Sequence, residues 1–346
     1  MLNGKRILIY SYAGLGDTIM FTPSLRAIKQ SYPDCTISFI TKTVNYHVLK
    51  GLSYVDHVYP FERGSFFKKI RIIPFLQKQD YIFFADWNFQ LAMIAKTLGH
   101  PTISIKLPSE QFKVKIREKN SYKKIINRFI QTWVLDTQNY AADTINNALS
   151  YALNIPIDAN TEDIDVTLPN EKEILKVDLL MRENGLAPID QYICLSPYTS
   201  LEVRDWPLEY ARKLVNLIQG KLHIPVIILG SQSKREESKK IGGINLVGQT
   251  SFGEMVELLK RSKLCIGPDS GTMHVAGAIG APQIALFSND FSSRWAPKRN
   301  CRVISLNLPC TGCRNEGIES CATRFCNNGV TPEMVFEITK EELNKL

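Results

Sequence analysis

Two glycine-bearing turns hold the residues best suited to chemistry. Near the C-terminal end, Gly267-Pro268-Asp269-Ser270-Gly271-Thr272-Met273-His274 follows the apolar run Leu264–Ile266 and opens a small-residue helix over Val275–Gly280. The spacing predicts a strand, a tight turn and a helix N-terminus. There the free N–H groups of Ser270, Gly271 and Thr272, with the positive end of the helix dipole, would receive an anion such as a phosphate. Toward the other end, Gly14-Leu15-Gly16-Asp17 follows the run Arg6–Tyr10 and sets a carboxylate where a helix begins. One turn suits an anion and the other suits a base.

Both turns need strands to present them, and the chain supplies strand-like and helical patterns in alternation. In the first half strands are expected at Arg6–Tyr10, Thr36–Thr41, His57–Tyr59, Tyr81–Ala85 and Thr102–Ile105. In the second half they are expected at Tyr192–Ser196, Val226–Leu229, Leu264–Ile266 and Gln283–Phe287, separated by helices such as Pro207–Gln219, with proline at its first position, and Gly253–Arg261. Such alternation predicts an α/β chain built from two βαβ systems with parallel sheets. The acidic, weakly patterned stretch 157–170, followed by a helical segment to Asn184, is the expected linker. It divides the chain into domains over 1–170 and 185–330, with a closing helix over 331–346.

Two common nucleotide-binding readings do not fit. The third glycine of a G-x-G-x-x-G fingerprint would fall at Ile19, and the second strand ends near Lys42 without an acidic residue for a ribose. The G-x-x-x-x-G-K-[ST] loop of P-loop enzymes is absent from the sequence.

Composition sets further bounds. A chain of 346 residues, 44% hydrophobic, has enough core for two domains. No apolar run reaches the roughly 18–20 residues of a membrane span, and Met1 leads almost directly into a strand without a signal-peptide pattern. A cytoplasmic location is the expectation, and it fits Cys194 and Cys265, which fall in apolar runs where reduced cysteine serves as a small hydrophobe. Charge is uneven: residues 1–150 hold 20 Lys+Arg against 10 Asp+Glu and residues 151–346 hold 22 against 24, which gives +10 and −2. Much of the excess lies at 63–71, around Phe66 and Phe67, and at 113–128, where Lys113, Lys115, Lys123 and Lys124 alternate with aromatic and aliphatic residues. Such a surface suits an anionic partner, whether a membrane, an acidic glycolipid or nucleic acid, and equally a solvated helix face. No recognised nucleic-acid module accompanies it, so no nucleic-acid partner is expected.

Further motifs run along the chain in order: Gly16-Asp17-Thr18 through Pro23 with Leu25-Arg26-Ala27, Tyr32-Pro33-Asp34, Ser196-Pro197, Arg204-Asp205-Trp206-Pro207, the Gly267–His274 segment and Gly280-Ala281-Pro282. In that order they resemble glycosyltransferase family 9, the lipopolysaccharide heptosyltransferases. Together they span nearly the whole chain. The resemblance implies a GT-B architecture, two Rossmann-like domains facing a cleft, with sugar nucleotide held by the C-terminal domain and acceptor by the N-terminal one. It also implies inverting transfer, typically from ADP-heptose to the lipopolysaccharide inner core, at the inner face of the membrane and without a cofactor. Asp17 matches the family's proposed base, and Arg204 matches a basic position that contacts phosphates. Asp269 is expected to organise its turn or face sugar hydroxyls, and His274 to bond a phosphate or to pack. Gln232, Glu236 and Glu237 are the candidates for the nucleotide ribose.

Alternatives stand beside each role. Asp17 could be a helix N-cap, and Arg204 could pair with Asp205 or Glu202. The tail carries Cys310, Cys313, Cys321 and Cys326 within 17 residues. Their spacing admits a structural zinc, free thiols or disulfides. At the level of function, a transferase with another nucleotide sugar or cell-surface acceptor is the nearer alternative. A non-catalytic sugar-nucleotide binding protein is the distant one, and it would have no use for a base at Asp17.

Overall fold

The computed structural model describes residues 2–62, 76–85, 102–106, 131–134, 139–187, 189–313 and 321–345. They fall into two compact units, Met1–Thr167 and Leu168–Leu346. The first unit contains β1 (Arg6–Tyr10), α1 (Leu15–Ile19), α2 (Thr22–Ser31), β2 (Thr36–Thr41), α3 (Thr43–Leu49), β3 (His57–Pro60), β4 (Tyr81–Phe84), β5 (Thr102–Lys106), β6 (Gln131–Val134) and α4 (Ala141–Leu153). Its described strands form one sheet in the order β3-β2-β1-β4-β5-β6, every pairing parallel.

The second unit begins with α5 (Glu171–Glu183), β7 (Ile193–Leu195), α6 (Leu208–Leu222), β8 (Val226–Ile228), α7 (Arg235–Ser238), β9 (Ile244–Asn245) and α8 (Phe252–Arg261). It continues through β10 (Leu264–Pro268), α9 (Gly271–Ala278), β11 (Gln283–Phe287), α10 (Ser292–Trp295), β12 (Cys301–Ser305), α11 (Phe325–Asn328) and α12 (Pro332–Leu343). Its described strands are also all parallel, in the order β12-β11-β10-β7-β8-β9. Counted from each unit's first strand, the two orders are the same doubly wound pattern. This is the GT-B class of architecture, two Rossmann-like units in one chain. In each sheet the order reverses beside the first strand, between β1 and β4 and between β7 and β10. The loops leaving the carboxyl ends of those strands are where such sheets bind ligands.

The sequence accounts for these elements locally. Strands covered on both faces read as continuous apolar runs, and the side chains of Ile7–Tyr10 and Leu264–Pro268 are all buried. Burial pushes the Cys265 thiol in β10 up to about 12 and raises that of Cys194 in β7, so both stay protonated as small apolar groups. Along α6, Ala211, Leu214, Val215 and Ile218 recur at helical spacing and bury one face, in a core that also holds Trp206, Val335 and Phe336. Helix α12 packs on α6, and Thr331 starts it by accepting the Met334 N–H, with Pro332 in its first turn. Ser251 and Glu254 cap α8 reciprocally, each side chain accepting the other's N–H at 3.2 and 2.9 Å.

Three strands of the observed sheets carry too weak a pattern to be read from sequence. β9 has two residues, β6 and β12 are edge strands, and β12 alternates exposed and covered positions over Cys301–Ser305. Pro207 proves to be the N-cap of α6 rather than its first residue, and the helix runs on to Leu222, where His223 ends it in a left-handed conformation. Among the described residues no helix is long and apolar enough to cross a membrane.

Candidate functional site

The base-bearing turn sits at the carboxyl end of β1. Asp17 lies in the first turn of α1, half-buried, and its Oδ2 accepts the Gly14 N–H at 3.0 Å. A Cβ on Gly14 would stand 2.9 Å from that oxygen, so a larger residue there would push the carboxylate aside by a few tenths of an ångström. Asn45, fully buried on α3, holds the loop from behind. Its Nδ2 lies 3.1 Å from the Ala13 carbonyl, 2.9 Å from Thr18 Oγ1 and 3.2 Å from Thr41 Oγ1. The N-cap of α1 is Gly14, and Asp17 stands at the third position of the helix, where its carboxylate closes the turn by accepting the Gly14 N–H. Nothing in the sequence around Asn45 marked it as the residue that ties β2 to this turn.

The Gly267–His274 turn sits at the carboxyl end of β10, beside the second reversal of strand order. Gly267 is required there, since a Cβ would meet the Ser196 carbonyl oxygen at 2.5 Å. Ser270 is the N-cap of α9 without a side-chain capping bond, so Gly271 and Thr272 head the helix with donors that the helix itself cannot satisfy. Thr272 Oγ1 lies 3.3 Å from Ser196 Oγ at the exit of β7. His274, 4% exposed, packs edge-on against Trp295 and directs Nε2 at Asp269 Oδ1 from 3.4 Å. It thus faces the carboxylate of its own turn.

Arg204 comes from the loop after β7 and lines a small pocket together with Asp269, Ser288, Asn289 and Asp290. The last three follow β11 and were not singled out from the sequence, because serine, asparagine and aspartate in a loop read simply as turn formers. Asn289 is 3% exposed, and its Nδ2 is a buried donor with no hydrogen-bond partner among the described residues. The same holds for Ser270 Oγ and His274 Nδ1. Buried polar atoms are normally satisfied, and these three lie on the segments that follow β10 and β11.

The Arg204 loop is tied down on several sides. Trp206, fully buried, donates from its backbone to the Pro197 carbonyl at 2.9 Å and from its indole N–H to the Val330 carbonyl at 3.0 Å. The Asp205 carboxylate accepts the Thr199 N–H at 2.6 Å, and Asn327 donates to the Asp205 carbonyl at 2.8 Å. Asp205 and Glu202, the expected alternative partners of Arg204, are held instead by Lys234, at 3.0 and 2.8 Å.

The ribose candidates separate by environment. Glu236 is exposed and paired with Lys239 at 2.7 Å, and Glu237 is paired with Lys234 at 3.0 Å. Gln232 is exposed and opens the short 3-10 turn after β8, against Gly248, whose φ of +69° and proximity to Gln232 admit no side chain.

Of the three readings open for the tail cysteines, the structural zinc finds no support. Cys310, Cys313, Cys321 and Cys326 are free thiols, and no group of metal-ligating side chains among the described residues is arranged to hold an ion. They do lie near enough to one another for their charges to interact: burial raises the Cys326 thiol, and the other three add to the rise. The basic clusters at 63–71 and 113–128, with Lys113, Lys115, Lys123 and Lys124, lie outside the described residues.

A model of the family described as glycosyltransferase family 9 (heptosyltransferase) matches residues 114–321, more than half of the chain. The chain belongs to this family. The transferase is 23% identical to the lipopolysaccharide core heptosyltransferase OpsX of Haemophilus influenzae, over 86% of this chain and 82% of that relative. In fold it is similar to a glycosyltransferase family 9 protein of Veillonella parvula, with a TM-score of 0.83 at 18% identity, covering 100% of this chain and 99% of that one. A structure of the E. coli heptosyltransferase WaaC with ADP is similar at a TM-score of 0.66 and 16% identity, covering 97% of this transferase and 99% of that chain.

Proposed function

We propose that this transferase moves a heptose from ADP-heptose to an inner-core lipopolysaccharide acceptor, inverting the anomeric centre without a metal. The first unit takes the acceptor and the second takes the donor. The observation that carries this reading is the grouping at the carboxyl ends of the second sheet: Arg204 and the buried Asn289 Nδ2 at one small pocket, and the Gly271 and Thr272 N–H groups at the head of α9 after β10, all donors suited to a diphosphate. Relatives named as lipopolysaccharide heptosyltransferases support the choice of sugar and acceptor. So does a similarly folded heptosyltransferase structure with ADP.

In this reaction the acceptor hydroxyl attacks the anomeric carbon from the face opposite the diphosphate. The new C–O bond forms as the old one breaks, and the hydroxyl proton passes to the Asp17 carboxylate. ADP leaves with the bonding electron pair, and its growing charge is met by Arg204 and the Gly271 and Thr272 N–H groups. Asp269, steadied by His274, takes the sugar hydroxyls, and Gln232 takes the ribose. Incubating the pure protein with a panel of nucleotide sugars, with and without acceptor glycolipid, tests the reading. ADP release that requires ADP-heptose and acceptor, and that survives EDTA, is the expected result. Release from a different nucleotide sugar alone would reassign the donor.

The acceptor side rests on the basic first half of the chain, +10 against −2. Reversing Lys113, Lys115, Lys123 and Lys124 to Glu is expected to raise the acceptor KM and reduce binding to anionic liposomes, with donor KM unchanged. Added salt should shift the wild type the same way. Equal use of lipid acceptor by both proteins at low salt would make these lysines a solvated face.

A further inference from the structure

Asn45 stands in the first turn of α3, fully buried, with oxygens gathered around its amide nitrogen. Nδ2 lies 3.1 Å from the Ala13 carbonyl, 3.4 Å from the Gly14 carbonyl, and 2.9 and 3.2 Å from the buried hydroxyls of Thr18 and Thr41. With two N–H bonds the amide can serve one carbonyl and one hydroxyl at a time. Its other end differs: Oδ1 is buried and has no hydrogen-bond partner among the described residues. A buried acceptor without a partner costs stability, so what this side chain contributes lies in its donor end.

The route from that donor to Asp17 runs through one peptide group. The Ala13 carbonyl and the Gly14 N–H are the two ends of a single planar unit, so a bond that holds the carbonyl also fixes where the N–H points. That N–H meets Asp17 Oδ2 at 3.0 Å. A donor on the carbonyl also polarises the peptide and strengthens the bond made by its N–H. The next peptide is held through Thr18, whose hydroxyl and backbone N–H both donate to the Gly14 carbonyl at 3.1 Å. Both peptides flanking the Gly14 Cα are thus anchored, at a residue type that otherwise leaves the backbone free to turn.

We propose that Asn45 is a positioning residue for transfer, which aims the Asp17 carboxylate by holding the Ala13–Gly14 peptide. This rests on the reading of Asp17 as the base. Buried in its own unit, Asn45 acts through that carboxylate rather than on a substrate. Misplacing a reacting group by about 1 Å can cost on the order of 100-fold in rate, which is the scale open to such a residue.

The test measures kcat, both KM values and ADP affinity in the full chain, with circular dichroism confirming folding. Asn45→Leu is close to asparagine in shape and lacks its donor. It is expected to lower kcat by about 10–100-fold, with donor KM and ADP affinity within about twofold of the wild type. In the Asp17→Asn protein the same substitution is expected to change the residual turnover by less than about twofold, because the carboxylate it positions is gone. An asparagine with a merely structural role would cost the same factor in both backgrounds. If Asn45→Leu does not fold, Asn45→Ser replaces it with the same expectations, since the serine hydroxyl ends one bond short of the amide nitrogen. The proposal is overturned if the folded variant turns over like the wild type, if its loss falls on ADP affinity instead of kcat, or if it costs as much again in the Asp17→Asn protein. Near-normal turnover of Asp17→Asn itself would instead remove the base reading on which the proposal stands.

Discussion

Asp17→Asn is expected to lower turnover by about 10²–10⁴-fold while leaving ADP affinity within about twofold of the wild type, the pattern for a general base that does not hold the donor. The amide can still accept the Gly14 N–H that the carboxylate accepts at 3.0 Å, so the turn keeps its cap while the proton acceptor is gone. That makes Asn more informative than Ala, which removes both. Steady-state kinetics with saturating donor and acceptor measure the effect, and thermal unfolding checks that the fold is intact. Near-normal turnover in folded Asp17→Asn would return this residue to a purely capping role, and the base would have to be sought elsewhere.

Arg204→Ala is expected to weaken ADP binding by about 10–100-fold and to slow transfer at least as much, because a charge-assisted contact to a phosphate contributes roughly 1.5–3 kcal/mol and strengthens as the leaving group gains charge. Arg204→Lys should retain part of both, since lysine keeps the charge but loses the two-pronged geometry. Calorimetry with ADP and single-turnover transfer separate binding from chemistry. Unchanged ADP affinity in Arg204→Ala would show that the guanidinium serves something other than the donor.

Much of the architecture was legible because parallel strands buried on both faces leave unbroken apolar runs, such as Ile7–Tyr10 within β1 and Ile284–Phe287 within β11, where pattern and structure coincide. What escaped were strands whose identity comes from their neighbours. β9 has two residues, and it exists because β8 offers it a paired edge. The site shows the same division. Asp17 and the Gly267–Thr272 turn announce themselves by local geometry, since glycine, small residues and a helix start are adjacent in sequence. Asn45, Asn289 and Lys234 do not, because their meaning lies in partners 3 to 32 positions away or, for Asn289 Nδ2, in a buried donor without a partner among the described residues. An asparagine that closes a loop and one that decorates a surface look alike until the chain is folded. Lys234 carries this furthest: as a letter it belongs to a charged, solvent-facing run, and only the convergence of Glu202, Asp205 and Glu237 makes it interior.

The Trp206 indole bonds to Val330, and the Asp205 carbonyl to Asn327, across 124 and 122 residues of chain. This has a consequence for the order of events on the ribosome. Both sheets can begin pairing as their strands emerge, but the segment that carries Arg204 waits for partners made 122 and 124 residues later. Until residues 327–330 clear the exit tunnel, the backbone of that loop lacks one of its fastenings and the indole of a large aromatic side chain lacks its acceptor. A nascent chain halted before this point would hold the strands of the second sheet and still have an unfastened loop at Arg204. The setting of this loop would thus come after most of the sheet that presents it.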